Sequence, residues 1–282
     1  MLLAAASSAL RPVLAGPARP AECLGVTRGA LYLKIAGPPG ALTVLAHDAV
    51  RLPCGLVLPT TSAELPLSSL APTPDASAGF VVGDGSVSWT GPAGQVVVRA
   101  VREWAPARPG RGEVAASVLA AVRKVLSDTA LAGADPAADS QLLARLAAAA
   151  GDRDASVAVA ACLLGGGPGL TPSGDDVLAG FLAGAAAFGL DAGALREAIA
   201  VLAPAGTTAL SAALLWHAAR GECIDEVAAV AAILSGRRRI GAEQARGAVR
   251  RLQSVGHTSG AALALGLLTA AESALHAQRR AA

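Results

Sequence analysis

The run Gly165-Gly166-Gly167-Pro168-Gly169-Leu170-Thr171-Pro172-Ser173-Gly174-Asp175-Asp176 passes directly into Val177-Leu178-Ala179-Gly180-Phe181-Leu182. It constrains the fold more than any other stretch. Its glycines free the backbone and its prolines fix φ, so the loop can hold unusual conformations and bring peptide N–H groups close to a ligand. A helix then begins. Ser173 suits the N-cap position, Asp176 three residues on completes a short-armed capping box, and both acids fall in the first turn, where the helix dipole favours negative charge. From Val177 to Leu190 no charged residue occurs. The spacing therefore predicts a helix without a polar face, buried on all sides. A helix of that kind can exist only inside a shell of other elements, so the loop feeds a core.

The remaining sequence supplies that shell and a second body. At 282 residues the chain can bury a substantial core, and two domains are expected, 1–109 and 110–282. The first is β-rich. Ala30-Leu31-Tyr32-Leu33-Lys34-Ile35 and Leu42-Thr43-Val44-Leu45 read as a hairpin across Gly37-Pro38-Pro39-Gly40. Further strands fit residues 55–58, 79–83, 87–90 and 96–99, with Gly83-Asp84-Gly85-Ser86 as a tight turn. Short strands at this spacing predict a small barrel or sandwich, preceded by a short helix over Met1–Ala6. Pro106 to Gly112 reads as a linker. After it the pattern is helical: residues 113–130, with Asp128 on the outer face, then 140–150, 154–164, 195–202, 207–220, 224–234, 242–252 and 259–278. The fold class is α+β, a β-rich barrel or sandwich followed by a helical domain with two buried central helices. Aromatics make up only 2% of the chain against 53% hydrophobic residues. Packing must then rest on Leu, Val and close approaches permitted by Ala and Gly.

The second central helix is announced by an echo. Ser173 to Leu182 aligns without gaps on Ser259-Gly260-Ala261-Ala262-Leu263-Ala264-Leu265-Gly266-Leu267-Leu268. In both, a small polar loop leads a wholly apolar helix that carries a glycine six residues after the first. The two helices are expected to pack together at Gly180 and Gly266, with their N-termini facing one cavity that would suit an anion.

Several classes of function are disfavoured. A net charge of +2 lacks the basic stripe needed to neutralise many phosphates, apart from Arg237-Arg238-Arg239 and nearby Arg246, Arg250 and Arg251, read as a solvated helix end and turn. No nucleic acid is expected. Cys23, Cys54, Cys162 and Cys223 are widely spaced with no C-x-x-C, which speaks against zinc and fits buried thiols in a reducing compartment. The apolar start has no basic residues before it, and the run from Val177 is too short and too rich in Gly and Ala to span a bilayer. A cytoplasmic protein with no membrane partner is expected.

Gly169-Leu170-Thr171-Pro172-Ser173-Gly174-Asp175-Asp176, taken with Gly256-His257-Thr258-Ser259-Gly260, resembles a domain family that includes the AllH-type subunit of oxamate carbamoyltransferase, an enzyme of anaerobic allantoin and purine breakdown. Weaker matches fall at Arg51–Leu58 and Thr207–Ser211. The resemblance implies carbamoyl transfer between carbamoyl phosphate and a small amide, with other enzyme subunits as partners and a small anionic substrate. Such chemistry needs a phosphate cradle, donors for a developing oxyanion and an aligned nucleophile. The expected catalytic residues are Asp175, Asp176 and His257. Substrate contacts are expected from Gly169, Thr171, Ser173, Gly174, Thr208, Ser211, Thr258, Ser259 and Gly260. Two carboxylates beside a phosphate repel it unless a divalent ion lies between, so Asp175 and Asp176 either hold Mg²⁺ or divide between capping their own helix and orienting an amide. No other cofactor is expected. His257 either gives a proton or bonds a loop carbonyl. His47 reads as structural, His217 faces either way, and His276 is expected to be exposed. One departure stands out: Ala262 occupies the place where the family's second motif carries an aspartate. The competing class is a non-catalytic anion- or nucleotide-binding assembly subunit. A Mg²⁺-dependent phosphate-ester enzyme would call for a second acidic cluster, which the helical half lacks.

Overall fold

The computed structural model describes residues 1–72, 79–127, 139–149, 151–238 and 241–281. Its contacts separate into two compact units, Met1–Pro106 and Ala107–Ala282.

The first unit is a closed eight-stranded barrel. Its strands are β1 (Leu2–Ser7), β2 (Arg19–Val26), β3 (Ala30–Lys34), β4 (Ala41–Leu45), β5 (Gly55–Val57), β6 (Phe80–Gly83), β7 (Ser86–Gly91) and β8 (Gly94–Trp104). Around the barrel they run β1-β5-β4-β3-β2-β6-β7-β8, with β1–β8 and β4–β5 parallel and the other neighbours antiparallel. The expected hairpin is β3–β4, in register from Ala30 opposite Leu45 to Lys34 opposite Ala41. Leu31, Leu33, Leu42, Val44, Leu56, Val87 and Val98 fill the interior. Trp89 closes it, its ring 5.6 Å from that of Phe80 and its indole N–H donating to the Leu70 carbonyl at 2.7 Å.

The expected helix over Met1–Ala6 is strand β1 instead. Its six residues pair with β8 and Ala5 and Ala6 also pair with β5, and Ala4 and Ala6 turn inward while Leu3 stays outside. Pairing on two edges outweighs the helical preference of a few alanines, since an isolated helix this short is unstable. A helix does follow, α1 (Arg11–Leu14), with Pro12 in its first turn. Strand β2 was not anticipated, because Pro20 and Glu22 break the apolar alternation; it carries no fully buried residue.

The second unit contains α2 (Ala116–Ser127), α3 (Ser140–Ala148), α4 (Arg153–Leu163), α5 (Ser173–Phe188), α6 (Gly193–Gly206), α7 (Ala209–Ala218), α8 (Asp225–Leu234), α9 (Ala242–Gln253) and α10 (Ser259–Ala281). The expected positions at Asp128, Ala130, Ala150 and Arg239 lie outside the described residues. Helix α5 is buried along its whole length, with only Ala179 and Ala186 partly open. Its main neighbour is α10. A methyl group on Gly180 would collide with the Leu263 carbonyl, and one on Gly266 with that of Val177. One on Gly184 would stand 2.6 Å from the Ala270 Cβ. Gly180 lies against Leu263 and Gly184, one turn later, against Leu267 and Ala270, so the pair is parallel and the backbones touch where glycine leaves room. Helix α10 has the length and composition to cross a membrane over Ser259–Arg280. Here its apolar surface lies on α5, α3, α9 and α2.

The segment after the barrel is tied to the helical unit. Ala107 bridges Cys223, and the Gly112 amide donates to the Ala187 carbonyl at 2.9 Å.

Candidate active site

The parallel packing of α5 and α10 brings their N-termini to one end of the unit. Their leading loops touch there, through a hydrogen bond of 2.9 Å between the Thr171 and Ser259 hydroxyls. Each loop is closed by the amide of the glycine at the second helical position. The amide of Gly174 donates to the Gly166 carbonyl at 2.8 Å, and that of Gly260 to the Val255 carbonyl at 2.9 Å. A side chain at Gly174 would strike the carbonyl of Leu163 in α4, and one at Gly260 that of Leu252 in α9. The sequence echo is thus a structural repeat of helix, loop and helix, α4–α5 and α9–α10.

Ser173 is not the N-cap of α5. Pro172 takes that position without a side-chain bond, and Ser173 is the first helical residue, only 1% exposed. The reason is local: the proline already supplies the extended φ and ψ of a cap, so the chain turns one residue earlier than the serine suggests.

Both acids are buried, Asp175 at 2% and Asp176 at 6% exposure. Asp175 Oδ1 accepts the Gly165 amide at 2.9 Å, and Oδ2 accepts the Thr207 hydroxyl. Burial pushes the Asp175 carboxyl above its ordinary value, while hydrogen bonds from Thr207, Gly165 and Ser211 pull against that rise. Ser211 is buried as well. Thr208 caps α7 by accepting the Ser211 amide at 3.1 Å, and its hydroxyl donates to the Leu170 carbonyl at 2.6 Å. Gly169 lies at the exposed crest of the loop with φ +93°. On the other side His257 is exposed, and Thr258 and Ser259 are half-buried.

The structure therefore gathers Thr171, Ser173, Gly174, Thr208, Ser211, Asp175 and Asp176 around one loop, and joins that loop to Ser259 of the second motif. Mg²⁺ fits this donor set poorly. Both oxygens of Asp175 already accept hydrogen bonds, and among the described residues no three His, Cys, Asp or Glu side chains cluster as a metal site. Sequence reasoning did not foresee that Asp175 bonds Gly165 and Thr207. The partners lie 10 and 32 residues away, and no local pattern encodes such a bond.

This loop pair is where a comparison with known families matches. Residues 163–271 match the family model AllH, described as oxamate carbamoyltransferase subunit AllH. The match begins at the last residue of α4 and ends within α10, so it covers both loops, α5 to α9 and the first part of α10. No curated protein and no solved structure matches the chain. The AllH-like segment excludes the barrel.

A second buried polar cluster lies elsewhere in the helical unit. His217, fully buried on α7, shares a hydrogen bond of 2.7 Å between its Nδ1 and Glu222 Oε2, and Arg108 donates to Glu222 Oε1 at 2.6 Å. Burial alone would raise the Glu222 carboxyl, but the bonds from His217 and Arg108 together hold it below its ordinary value. The sequence left the direction of His217 open; its partner is five residues on, across the turn that ends α7.

Proposed function

We propose that the protein works as a subunit of an oxamate carbamoyltransferase-like enzyme, moving a carbamoyl group between carbamoyl phosphate and a small amide. The observation that carries this reading is the AllH match over 163–271, which coincides with the two loops joined at Thr171 and Ser259. In the phosphorolytic direction a phosphate oxygen attacks the carbamoyl carbon of oxalurate. The carbonyl becomes a tetrahedral oxyanion, the bond to the oxamate nitrogen breaks, and that nitrogen takes up a proton. The chain has groups suited to these demands. Hydroxyls of Thr171, Thr258 and Ser259 and the open backbone around Gly169 offer donors to phosphate or oxyanion. His257, exposed beside them, offers the proton. Partner subunits and an anionic substrate belong to this reading.

The test is reconstitution of the complex with its partner subunits, following phosphate-dependent release of oxamate from oxalurate. His257→Ala is expected to lower kcat by about 10²-fold or more, the usual weight of a positioned proton donor. The second reading, a non-catalytic assembly subunit, is favoured by the burial of both carboxylates. It would be established if His257→Ala and Thr258→Val left turnover intact while omission of the whole chain abolished it.

A further inference from the structure

The two copies of the helix–loop–helix repeat differ in one telling respect. Between α4 and α5 the connection runs from 164 to 172, whereas between α9 and α10 it runs only from 254 to 258. Gly165, the second residue of the longer loop, is in the left-handed region at φ +71°. A side chain there would come within 2.5 Å of the Gly206 carbonyl. The longer loop belongs to the copy with a carboxylate behind it; Ala261 stands at the matching place in the shorter one.

We infer that Asp175, with Thr207 as its partner, is a positioning residue that fixes the 164–172 loop from behind and does not touch the substrate. The inference rests on the carbamoyl-transfer reading for what the loop is positioned to do. The geometry of the loop stands by itself. One carboxylate oxygen holds the amide of Gly165 near the start of the loop, and the other holds Thr207 at the end of α6. The next residue, Thr208, holds the far end of the loop by donating to the Leu170 carbonyl. A bond from Thr171 to Ser259 anchors the last stretch to α10. Only the crest from Pro168 to Leu170 is left open to solvent along the second half of the loop. Such an arrangement holds the crest in place before a ligand arrives, which reduces the ordering that binding would otherwise require. A buried carboxylate is a strong, charge-assisted acceptor for this task, and its 2% exposure keeps it behind the loop.

Amide hydrogen exchange on the full chain tests this without any assay of turnover. Asp175→Ala and Thr207→Val are expected to speed exchange across 165–171 by at least tenfold while the barrel amides keep their rates. Asp175→Asn and Thr207→Ser, which can re-form the bonds, should stay close to wild type. Should Asp175→Ala fail to fold, Thr207→Val carries the same test. Unchanged loop exchange in Thr207→Val would overturn the inference. In the reconstituted complex, Asp175→Asn should keep kcat within a few-fold and Asp175→Ala should raise KM for the anionic substrate more than it lowers kcat. A loss of kcat in Asp175→Asn as deep as in Asp175→Ala would make the carboxylate a participant and refute positioning. A wild-type complex that transfers no carbamoyl group would refute the proposed function, and loop exchange would still decide the role of Asp175.

Discussion

Two buried carboxylates show how the same side-chain chemistry acquires opposite acid responses. Glu222, bonded to His217 and Arg108, is held below the ordinary carboxylate range. The native state therefore binds that proton less readily than the unfolded chain, and the stability Glu222 contributes is present above its unfolded value and lost as pH falls through its folded one. Asp175 is raised, chiefly by burial, so its native state takes up a proton first. Its ionised form weighs against folding, and acidification through its raised value relieves that penalty. Urea denaturation from neutral pH into the acid range is expected to show a shallower loss of stability for Glu222→Gln than for wild type. For Asp175→Asn the loss relative to wild type should steepen on the acid side, because the variant lacks the proton uptake that offsets it. At this scale the sequence was a poor guide. It located Asp175 and Asp176 in a first turn and singled out Thr208 and Ser211 by resemblance alone, but a carboxylate's partners are chosen by tertiary approach. Ser173 illustrates the limit: its residue type fits a cap, yet a proline before it fills the role.

Among the elements, α5 and α10 were the most legible. A run without charge, a glycine at the same place in each, and a small polar lead-in specify a buried pair in close contact, and the backbones do meet at Gly180 and Gly266. The information is in composition and periodicity, which survive without knowledge of neighbours. Strands β1 and β2 were not legible, because β1 is defined by the strands on either side of it and β2 by edges it shares with β3 and β6. Close packing makes a sharp prediction. Gly180→Ala and Gly266→Ala each force a methyl group onto a backbone carbonyl that cannot rotate aside, and each should cost about 1–3 kcal/mol or more by chemical denaturation. Gly189→Ala, with open space around its Cβ position, meets no such clash and is strained only through its φ of +74°.

For the molecule as a whole, the contacts fall into a barrel and a helical unit, and we propose that each unfolds as its own cooperative body. Calorimetry of the full chain is then expected to resolve two transitions. Trp89→Ala, which empties the barrel interior, should lower one by several degrees, and Gly180→Ala should lower the other. A single transition shifted by both variants would reject the proposal. The division into β and α halves could be read from the change in hydrophobic period near Pro106. Closure of the barrel could not, since it depends on the parallel meeting of the first and last strands, β1 and β8.

The parallel run of α5 beside α10 also shapes how the chain must fold. Val177 meets Gly266 across 89 intervening steps of sequence, and all of α6 to α9 lies in between. Helical proteins usually fold fast because their contacts are local, but here the central contact is among the most distant in its unit. The entropy of closing that long loop is spent before the pair gains any burial. Until it closes, the apolar runs of both helices stand without their partner. The same interval that separates the two halves of the candidate site is thus the period when the nascent chain is most exposed to aggregation.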